Sequence, residues 1–331
     1  MGSFVNLEIA SLNCNGLNDP SERKVLFDFL RQSSFSIIFL QETRFDPSQH
    51  CEIVKEWKEG PILLNSIFGR KCGTAILFNS SQIKIINDMY DKESRVISVV
   101  IEVFGNRFHL VNSYFPNDTA EKVPFIQNSY KYVMSNFPVI WGGDFNLTTD
   151  NMIDRWPRRS GRDTHSNELD KVLDTFNLVD VCRFFNPNQP MYTFKRKKNE
   201  GCVMSRIDKF FVSKHFELVE YNQVDWEFSD HEIINIQIQY QSKVVFGKMP
   251  WRNNTKHFKS ENFLENFKKF WDELKLKKRA MYYGNINKWW NEAKYDVKRM
   301  LMNLGKSINM YEKREINMMR NTLIFYWRCW R

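Results

Sequence analysis

The chain has 331 residues, 48 Lys and Arg against 39 Asp and Glu for a net charge of +9, and 15% aromatic residues that include 28 Phe. That length and aromatic content suit a large packed core and argue against a disordered chain or a single small domain. The charge is uneven: residues 242–331 hold 21 basic and 8 acidic residues, net +13, which leaves 27 basic and 31 acidic in residues 1–241.

A basic, aromatic-rich end beside a near-neutral domain points to a polyanion such as nucleic acid; a solvated Lys-rich helical surface is the plainer alternative. Cysteines at 14, 51, 72, 182, 202 and 329 are scattered with no Cys-x-x-Cys pair, so they read as free thiols in a reducing compartment. Asn6 breaks the myristoylation pattern, and the first residues lack the basic start and apolar run of a secretory leader. No apolar run approaches membrane-spanning length.

Taken in order, residues 7–12 alternate as a strand and end at the loop signal Asn13-Cys14-Asn15-Gly16. Pro20-Ser21-Glu22 opens a helix with Val25, Leu26, Phe29 and Leu30 on one face. Residues 35–40 form a solid apolar run, a buried strand ending in Gln41-Glu42-Thr43. Strands follow over 73–79 and 82–87, and then a hairpin, 95–103 and 107–113, turns at Phe104-Gly105-Asn106 and leads into Tyr114. A helix over 119–136 packs through Val123, Ile126, Tyr130 and Val133.

The short apolar run Pro138-Val139-Ile140 then reads as a buried strand ending in Trp141-Gly142-Gly143-Asp144-Phe145-Asn146. Glycines allow a sharp turn or a close approach, although Gly-Gly-Asp alone is an ordinary turn. A helix over 168–176 follows, then strands at 191–194 and 205–212 joined by a polar loop from Lys195 to Val203. Residues 232–240 alternate through Ile234, Ile236 and Ile238, directly after Ser229-Asp230-His231, and close a domain spanning 4–241.

Beyond it, Pro250 and Asn253-Asn254 mark a linker in a basic, helical segment over 242–331. Ser260 is placed to cap a helix carrying Phe263, Phe267, Phe270, Trp271 and Leu274. A second helix carries Trp290, Ala293, Val297, Leu301 and Leu304, and a third Ile316, Met319, Leu323 and Trp327. These stripes read as packing faces. The abrupt end at Trp330-Arg331 suggests a chain cut inside a larger unit.

Polar clusters recur at strand ends: Asn13 and Asn15, Glu42, Tyr114, Asp144 and Asn146, with Asp208 and Asp230-His231 at strand starts. Six such clusters are what a composite site at one sheet edge requires. The set offers oxygens, one imidazole and no thiolate, which suits a hard cation such as Mg²⁺ (or Mn²⁺) more than zinc. Ser229 has no Gly-x-Ser-x-Gly elbow around it, which weakens an acyl-transfer reading. Metal-assisted phosphodiester cleavage remains. Glu42 would hold the metal, Asp144 would orient or deprotonate water, and Asn146 would donate to phosphoryl oxygens. His231 would contact phosphate, its tautomer held by Asp208 or Asp230.

In order along the chain, Asn13-Cys14-Asn15-Gly16, Gln41-Glu42-Thr43, Asn112-Ser113-Tyr114, Gly143-Asp144-Phe145-Asn146, Ser205-Arg206-Ile207-Asp208 and Ser229-Asp230-His231 resemble the endonuclease/exonuclease/phosphatase superfamily. The resemblance implies a four-layer α/β sandwich, two packed mixed sheets flanked by helices, and Mg²⁺-dependent phosphodiester hydrolysis. It makes Glu42 similar to the main metal ligand with Asn13, Asn15 and Asp230 nearby. Tyr114, Asp144 and His231 then resemble the active-site trio, with Asn146 as transition-state stabiliser and Asp208 as partner of His231.

The Asn-x-Asn-Gly-Leu opening and the basic continuation look like the endonuclease of LINE-type (non-LTR) retrotransposons, which precedes a reverse transcriptase. A repair-type apurinic endonuclease, an exonuclease III-like nuclease, a silent nucleic-acid-binding remnant and a lipid or inositol phosphatase stay open. Double-stranded DNA is the expected partner, with RNA considered for residues 242–331, no membrane, and the nucleus as site of action. Arg155, Arg158, Arg159 and Arg162 are expected to contact phosphate. Lys195, Arg196, Lys197 and Lys198 fall where such retrotransposon enzymes carry a target-selecting hairpin, with a solvated loop as the plainer reading.

Overall fold

The computed structural model describes residues 4–80, 82–198, 201–241, 261–281, 289–290, 293–294 and 296–301. The chain divides into two compact units, Met1–Val245 and Phe246–Arg331. The first unit runs β1 (Phe4–Asn13), α1 (Pro20–Gln32), β2 (Ile37–Gln41), α2 (His50–Glu56), β3 (Ile62–Asn65), β4 (Thr74–Phe78), β5 (Lys84–Tyr90), β6 (Val96–Val103) and β7 (Asn106–Tyr114). It continues with α3 (Thr119–Val133), β8 (Val139–Asp144), β9 (Arg155–Trp156), α4 (Ser166–Thr175), β10 (Leu178–Asp180) and α5 (Val181–Phe185). β11 (Phe194–Lys198), β12 (Gly201–Ser205), β13 (Asp208–Ser213), β14 (Glu217–Val224) and β15 (Ile233–Gln241) complete it.

Two mixed six-stranded sheets result, β14-β15-β1-β2-β4-β3 and β10-β13-β8-β7-β6-β5, with a small third sheet β11-β12-β9. Apolar faces from both large sheets share one core, including Ile9, Phe39, Ile76, Val99, Leu110, Ile140, Phe210 and Ile236. The outer face of the first sheet packs on α1 and α2 through Leu26, Phe27, Leu30, Ile38 and Ile53. The outer face of the second packs on α3 and α4 through Val111, Trp141, Ile126, Leu169 and Phe211. The result is helix, sheet, sheet, helix, the four-layer sandwich expected from the sequence. β2 and β8 are buried along their whole length, which explains their unbroken apolar runs.

The structure corrects several local expectations. Asp19 caps α1 by accepting from the N–H groups of Ser21 and Glu22, and Pro20 suits the first turn. The buried face is Arg23, Leu26, Phe27 and Leu30, while Val25 is exposed. Arg23 is buried because its guanidinium donates to both oxygens of Glu56 on α2 and to Leu17 O. On α3 the buried face includes Lys122 and Ser129, which the apolar count passed over. The stretch read as a polar loop from Lys195 is the hairpin β11–β12. The glycines read as ending a strand lie inside β8, which continues to Asp144. α2, β3, β10, α5 and β14 carry no strong sequence signal, and β14 alternates polar groups on an edge.

In the second unit, α6 (Glu261–Met281) forms where the first helix of the segment is expected, with Phe263 and Leu274 buried. Trp289 rather than Trp290 turns inward: its Nε1 donates to Leu274 O at 3.2 Å, while Trp290 is exposed. Ser260, Leu304, the linker at 250–254 and the third expected helix lie outside the described residues. No described helix is long and apolar enough to cross a membrane. Cys14, Cys51, Cys72, Cys182 and Cys202 are free thiols.

A buried ionic network anchors the first unit below β13. Arg206 is fully buried; its Nε donates to Asp154 Oδ1 at 2.7 Å, and its Nη1 lies 2.9 Å from Asp180 Oδ2. Arg183 also pairs with Asp154, and Lys209 Nζ donates to Arg206 O at 2.8 Å. Burial would raise the Asp154 carboxyl, but the charges of Lys209 and Arg206 outweigh it and hold it well below the usual carboxylate range.

Removing one partner from such a pair leaves a buried charge uncompensated. Asp154→Asn is therefore expected to lose about 3–5 kcal/mol at neutral pH in urea unfolding. Wild-type Asp154 takes up a proton more readily unfolded than folded, so its contribution, full above about pH 4, fades as pH falls. The gap between wild type and Asp154→Asn should narrow between pH 7 and strongly acidic solution; a gap that widens on acidification contradicts this account.

Candidate active site

Strand register builds half of the site. β7 and β8 run parallel with Tyr114 opposite Asp144, and β8 and β13 run antiparallel with Asp144 opposite Asp208. The three side chains therefore stand on adjacent strands at one end of the sheet. Gly143 makes this possible: at φ +135, a Cβ there would lie 2.0 Å from Ser113 O. A Cβ on Gly142 would strike the Phe210 ring at 2.4 Å. In the other sheet β1 and β2 pair with Asn13 opposite Gln41, so Glu42 follows directly at the strand end.

The two sheet ends meet through Asn13. Its Nδ2 donates to Glu42 Oε1 at 3.2 Å and to Asp144 Oδ2 at 2.9 Å, while its Oδ1 accepts from Asn15 N. Deeper between the sheets, Gln41 Nε2 donates to Asn112 Oδ1 at 2.7 Å, and Asn112 Nδ2 donates to Leu40 O and Ala75 O. Tyr114 Oη donates to Glu42 Oε1 at 2.7 Å. Asn15, Glu42 and Asn146 hold positive φ values of 53, 49 and 48. Such backbone costs on the order of 1–3 kcal/mol per residue and persists where the surroundings enforce it, often at functional sites.

Asp144, Asp208 and His231 form a buried cluster whose ligand-type atoms lie within 4.8 Å of one another. His231 Nδ1 is 2.8 Å from Asp208 Oδ2, which also accepts from Thr193 Oγ1 at 2.6 Å. With Asp208 taking the Nδ1 proton, Nε2 is the ring nitrogen left for other work. Burial alone would lower the His231 imidazole, but the Asp208 carboxylate outweighs it and pushes it up to about 9. Burial, reinforced by the Asp208 charge, raises the Asp144 carboxyl above its ordinary value. Asp144 Oδ1 accepts from Asn146 N at 2.9 Å; Asn146 Nδ2 donates to Phe115 O at 2.9 Å and to Asp144 Oδ2 at 3.3 Å. Burial disfavours charge on Glu42, yet hydrogen bonds from Tyr114, Arg44 and Asn13 hold its carboxyl below the ordinary value. Burial raises the Tyr114 phenol, with the Glu42 charge adding to it, so Tyr114 is a donor at neutral pH.

Asp230 adjoins His231 in the chain, and its charge helps to raise the imidazole. Its side chain is exposed, while its backbone O accepts from Lys195 N. Residues outside the expected set also support the site. Lys122 Nζ donates to Asn146 O at 2.6 Å, and Ser229 Oγ donates to Asn13 O and accepts from His231 N. Arg44 donates to Glu42 Oε2 and Asn15 Oδ1. Ser229 sits in a recognised motif and Arg44 beside one, but nothing local marks Lys122 or Thr193.

Part of the basic set lies on the small sheet, Arg155 on β9 and residues 195–198 on β11. β12 pairs with β11 and with β9, and an isolated bridge joins Phe194 to His231. Arg158 and Arg159 are exposed, as are Arg196 and Lys197; Arg155 is half-buried. Two others are already engaged: Arg162 Nη1 lies 2.7 Å from Asp170 Oδ2, and Lys195 pairs with Glu232 and Asp225. The Lys198 side chain lies outside the described residues.

The donor chemistry fits a hard divalent cation. Asp208 Oδ1 is buried without a hydrogen-bond partner, and a guanidinium nitrogen already bridges Glu42 and Asn15. Both features are oxygen positions that attract positive charge.

Comparison with known proteins places this geometry. Over 326 residues the chain is 27% identical to the uncharacterized 149 kDa protein of transposon TX1 from Xenopus laevis, covering 96% of this chain and 24% of that protein. It thus spans about a quarter of that relative's length. Its fold is similar to an AP endonuclease from Leishmania major, with TM-score 0.59 and 17% identity over 71% of this chain and 88% of the other. It is similar to the same degree, TM-score 0.59 and 18% identity over 71% and 100%, to a Neisseria 3′ phosphatase solved bound to a product DNA hairpin. Residues 10–231 match the model of the Endonuclease/Exonuclease/phosphatase family, and the chain belongs to that family.

Proposed function

We propose that the chain is a Mg²⁺-dependent DNA endonuclease that nicks one strand and leaves a 3′-hydroxyl for target-primed reverse transcription by a non-LTR retrotransposon. The observation that carries this reading is the meeting of Glu42 from one sheet with Asp144, Asp208 and His231 at a single edge. The similarity to a transposon protein over nearly the whole chain supports the retrotransposon role. The exposed Arg158 and Arg159, and Arg196 and Lys197 on the strand whose Phe194 bridges to His231, suit a DNA backbone.

In this mechanism Glu42 and Asn15 would hold the cation, with Asn13 keeping the Glu42 and Asp144 carboxylates oriented. When bound, the metal would polarise the phosphoryl group and stabilise the leaving oxygen. Asp144 accepts the proton of the attacking water; its raised carboxyl makes it a better base at neutral pH than an ordinary aspartate. Asn146 Nδ2 keeps its bond to Phe115 O and exchanges the longer contact to Asp144 for a phosphoryl oxygen. His231, protonated at neutral pH and fixed by Asp208, donates Nε2–H to phosphate. Domain limits of 4–241 for the nuclease and 242–331 for a basic segment leading toward a reverse transcriptase belong to the same proposal.

Supercoiled plasmid nicking, titrated with Mg²⁺, tests it. Asp144→Ala and His231→Ala should each slow nicking by about 10²–10⁴-fold, as expected for loss of a general base or acid; undiminished nicking by either would reject these roles. A repair reading has its own support, because one fold relative is an AP endonuclease. The two separate on substrate: intact duplex should be cut at a rate comparable to an abasic oligonucleotide. Cleavage confined to the abasic site would favour repair.

A further inference from the structure

Glu42 Oε1 is occupied twice, by Tyr114 Oη at 2.7 Å and by Asn13 Nδ2 at 3.2 Å. Oε2 has a different partner: Arg44 Nη2 donates to it at 2.6 Å. The same nitrogen donates to Asn15 Oδ1 at 2.7 Å. One guanidinium nitrogen therefore sits between two oxygens that the proposed function gives to the metal. We propose that Arg44 is a built-in occupant of the cation site, displaced when a divalent cation binds and then taken up by a phosphate of the DNA.

The placement of Arg44 is specified by its surroundings. Its backbone N–H donates to Cys72 O, Thr43 N–H donates to Gly73 O, and Arg44 sits at φ +52. Gly16 leaves room for its stem: a Cβ there would meet Arg44 Cδ at 3.3 Å and Nη1 at 3.4 Å. The backbone is pinned while the side chain stays about one-third exposed. Arg44 Nε is buried without a hydrogen-bond partner, so the guanidinium is held in this pose chiefly through Nη2.

Exclusion follows from size and charge. Mg²⁺ holds its oxygens at about 2.0–2.1 Å with near-octahedral geometry. A cation coordinated by Oε2 and Asn15 Oδ1 needs the space that Nη2 fills, and the two positive charges repel at that range. Freed guanidinium in the same cleft matches phosphate geometry, which it can grip with two parallel N–H donors. DNA that captures Arg44 vacates the site, so cation and DNA each strengthen binding of the other. Coupling of this kind keeps the metal weakly bound until substrate arrives.

This inference rests on the metal-dependent reading above, and the test separates the two. Mn²⁺ binding to the full chain is measured by electron paramagnetic resonance, with and without a nuclease-resistant phosphorothioate duplex. Arg44→Met should bind Mn²⁺ about tenfold or more tightly than wild type without DNA, within the usual range of coupling between sites. The duplex should tighten Mn²⁺ binding to wild type and change Arg44→Met much less. Arg44→Lys, which keeps the charge, should stay near wild type. Equal or weaker binding by Arg44→Met, or equal tightening by Arg44→Lys, overturns the role of Arg44 while loss of binding in Glu42→Gln still upholds the metal site. Binding that is absent from wild type and Arg44→Met alike overturns both.

Discussion

Among the described glycines, Gly143 is the one where an added Cβ would fall nearest another atom, 2.0 Å from Ser113 O. At φ +135 the Gly143 backbone would aim any side chain at a carbonyl oxygen of the neighbouring strand β7. Glycine at this position lets Ser113 pair with residue 143, and that register places Tyr114 beside Asp144 and Asp144 beside Asp208. A slip of one residue would turn each of these side chains to the opposite face. The polar row depends on two glycines that carry no chemistry of their own.

Around that row the protein concentrates negative charge and then satisfies it. Asp144 and Asp208 are both about 1% exposed and lie close together. Two ionised carboxylates in that position would repel, and the structure answers with the His231 imidazolium, the Asn13 amide and the N–H of Asn146. Glu42 is served by Tyr114, Asn13 and Arg44. Asn13 takes part in both groups and, with the Tyr114–Glu42 and His231–Asp208 pairs, bridges the two sheets at this edge. Below the site, Arg206 clamps the chain just before Asp208 to Thr149 and Asp154, on the segment leading into β9, and to Asp180 at the start of α5.

Much of the fold was legible because burial leaves a local signature. Ile37 to Leu40 and Val139 to Trp141 are covered on both faces, so they read as unbroken apolar runs. Ile234, Ile236 and Ile238 alternate because one face of β15 meets the core. Where tertiary contacts replaced apolarity the signal failed. Arg23 and Lys122 are buried because Glu56 and the Asn146 carbonyl receive their charges, and nothing within one turn of either helix announces this. The β11–β12 hairpin reads as a loop from sequence because β11 is basic and mostly exposed and β12 is short and partly exposed, and its further pairing with β9 and the bridge to His231 are tertiary contacts.

The sequence by itself determined the order of the strongly patterned strands and helices, the inventory of oxygen ligands with one imidazole, and the basic character of residues 242–331. These follow from periodicity and residue type, which are local. Only the tertiary structure decided which atoms face one another. It turned the Asn13 nitrogen rather than its oxygen toward the carboxylates, kept Asp230 exposed, and brought Arg44 onto the second carboxylate oxygen of Glu42. Those outcomes depend on desolvation and on contacts between residues up to 131 apart in the chain, such as Asn13 with Asp144. Short-range pattern carries no information about either.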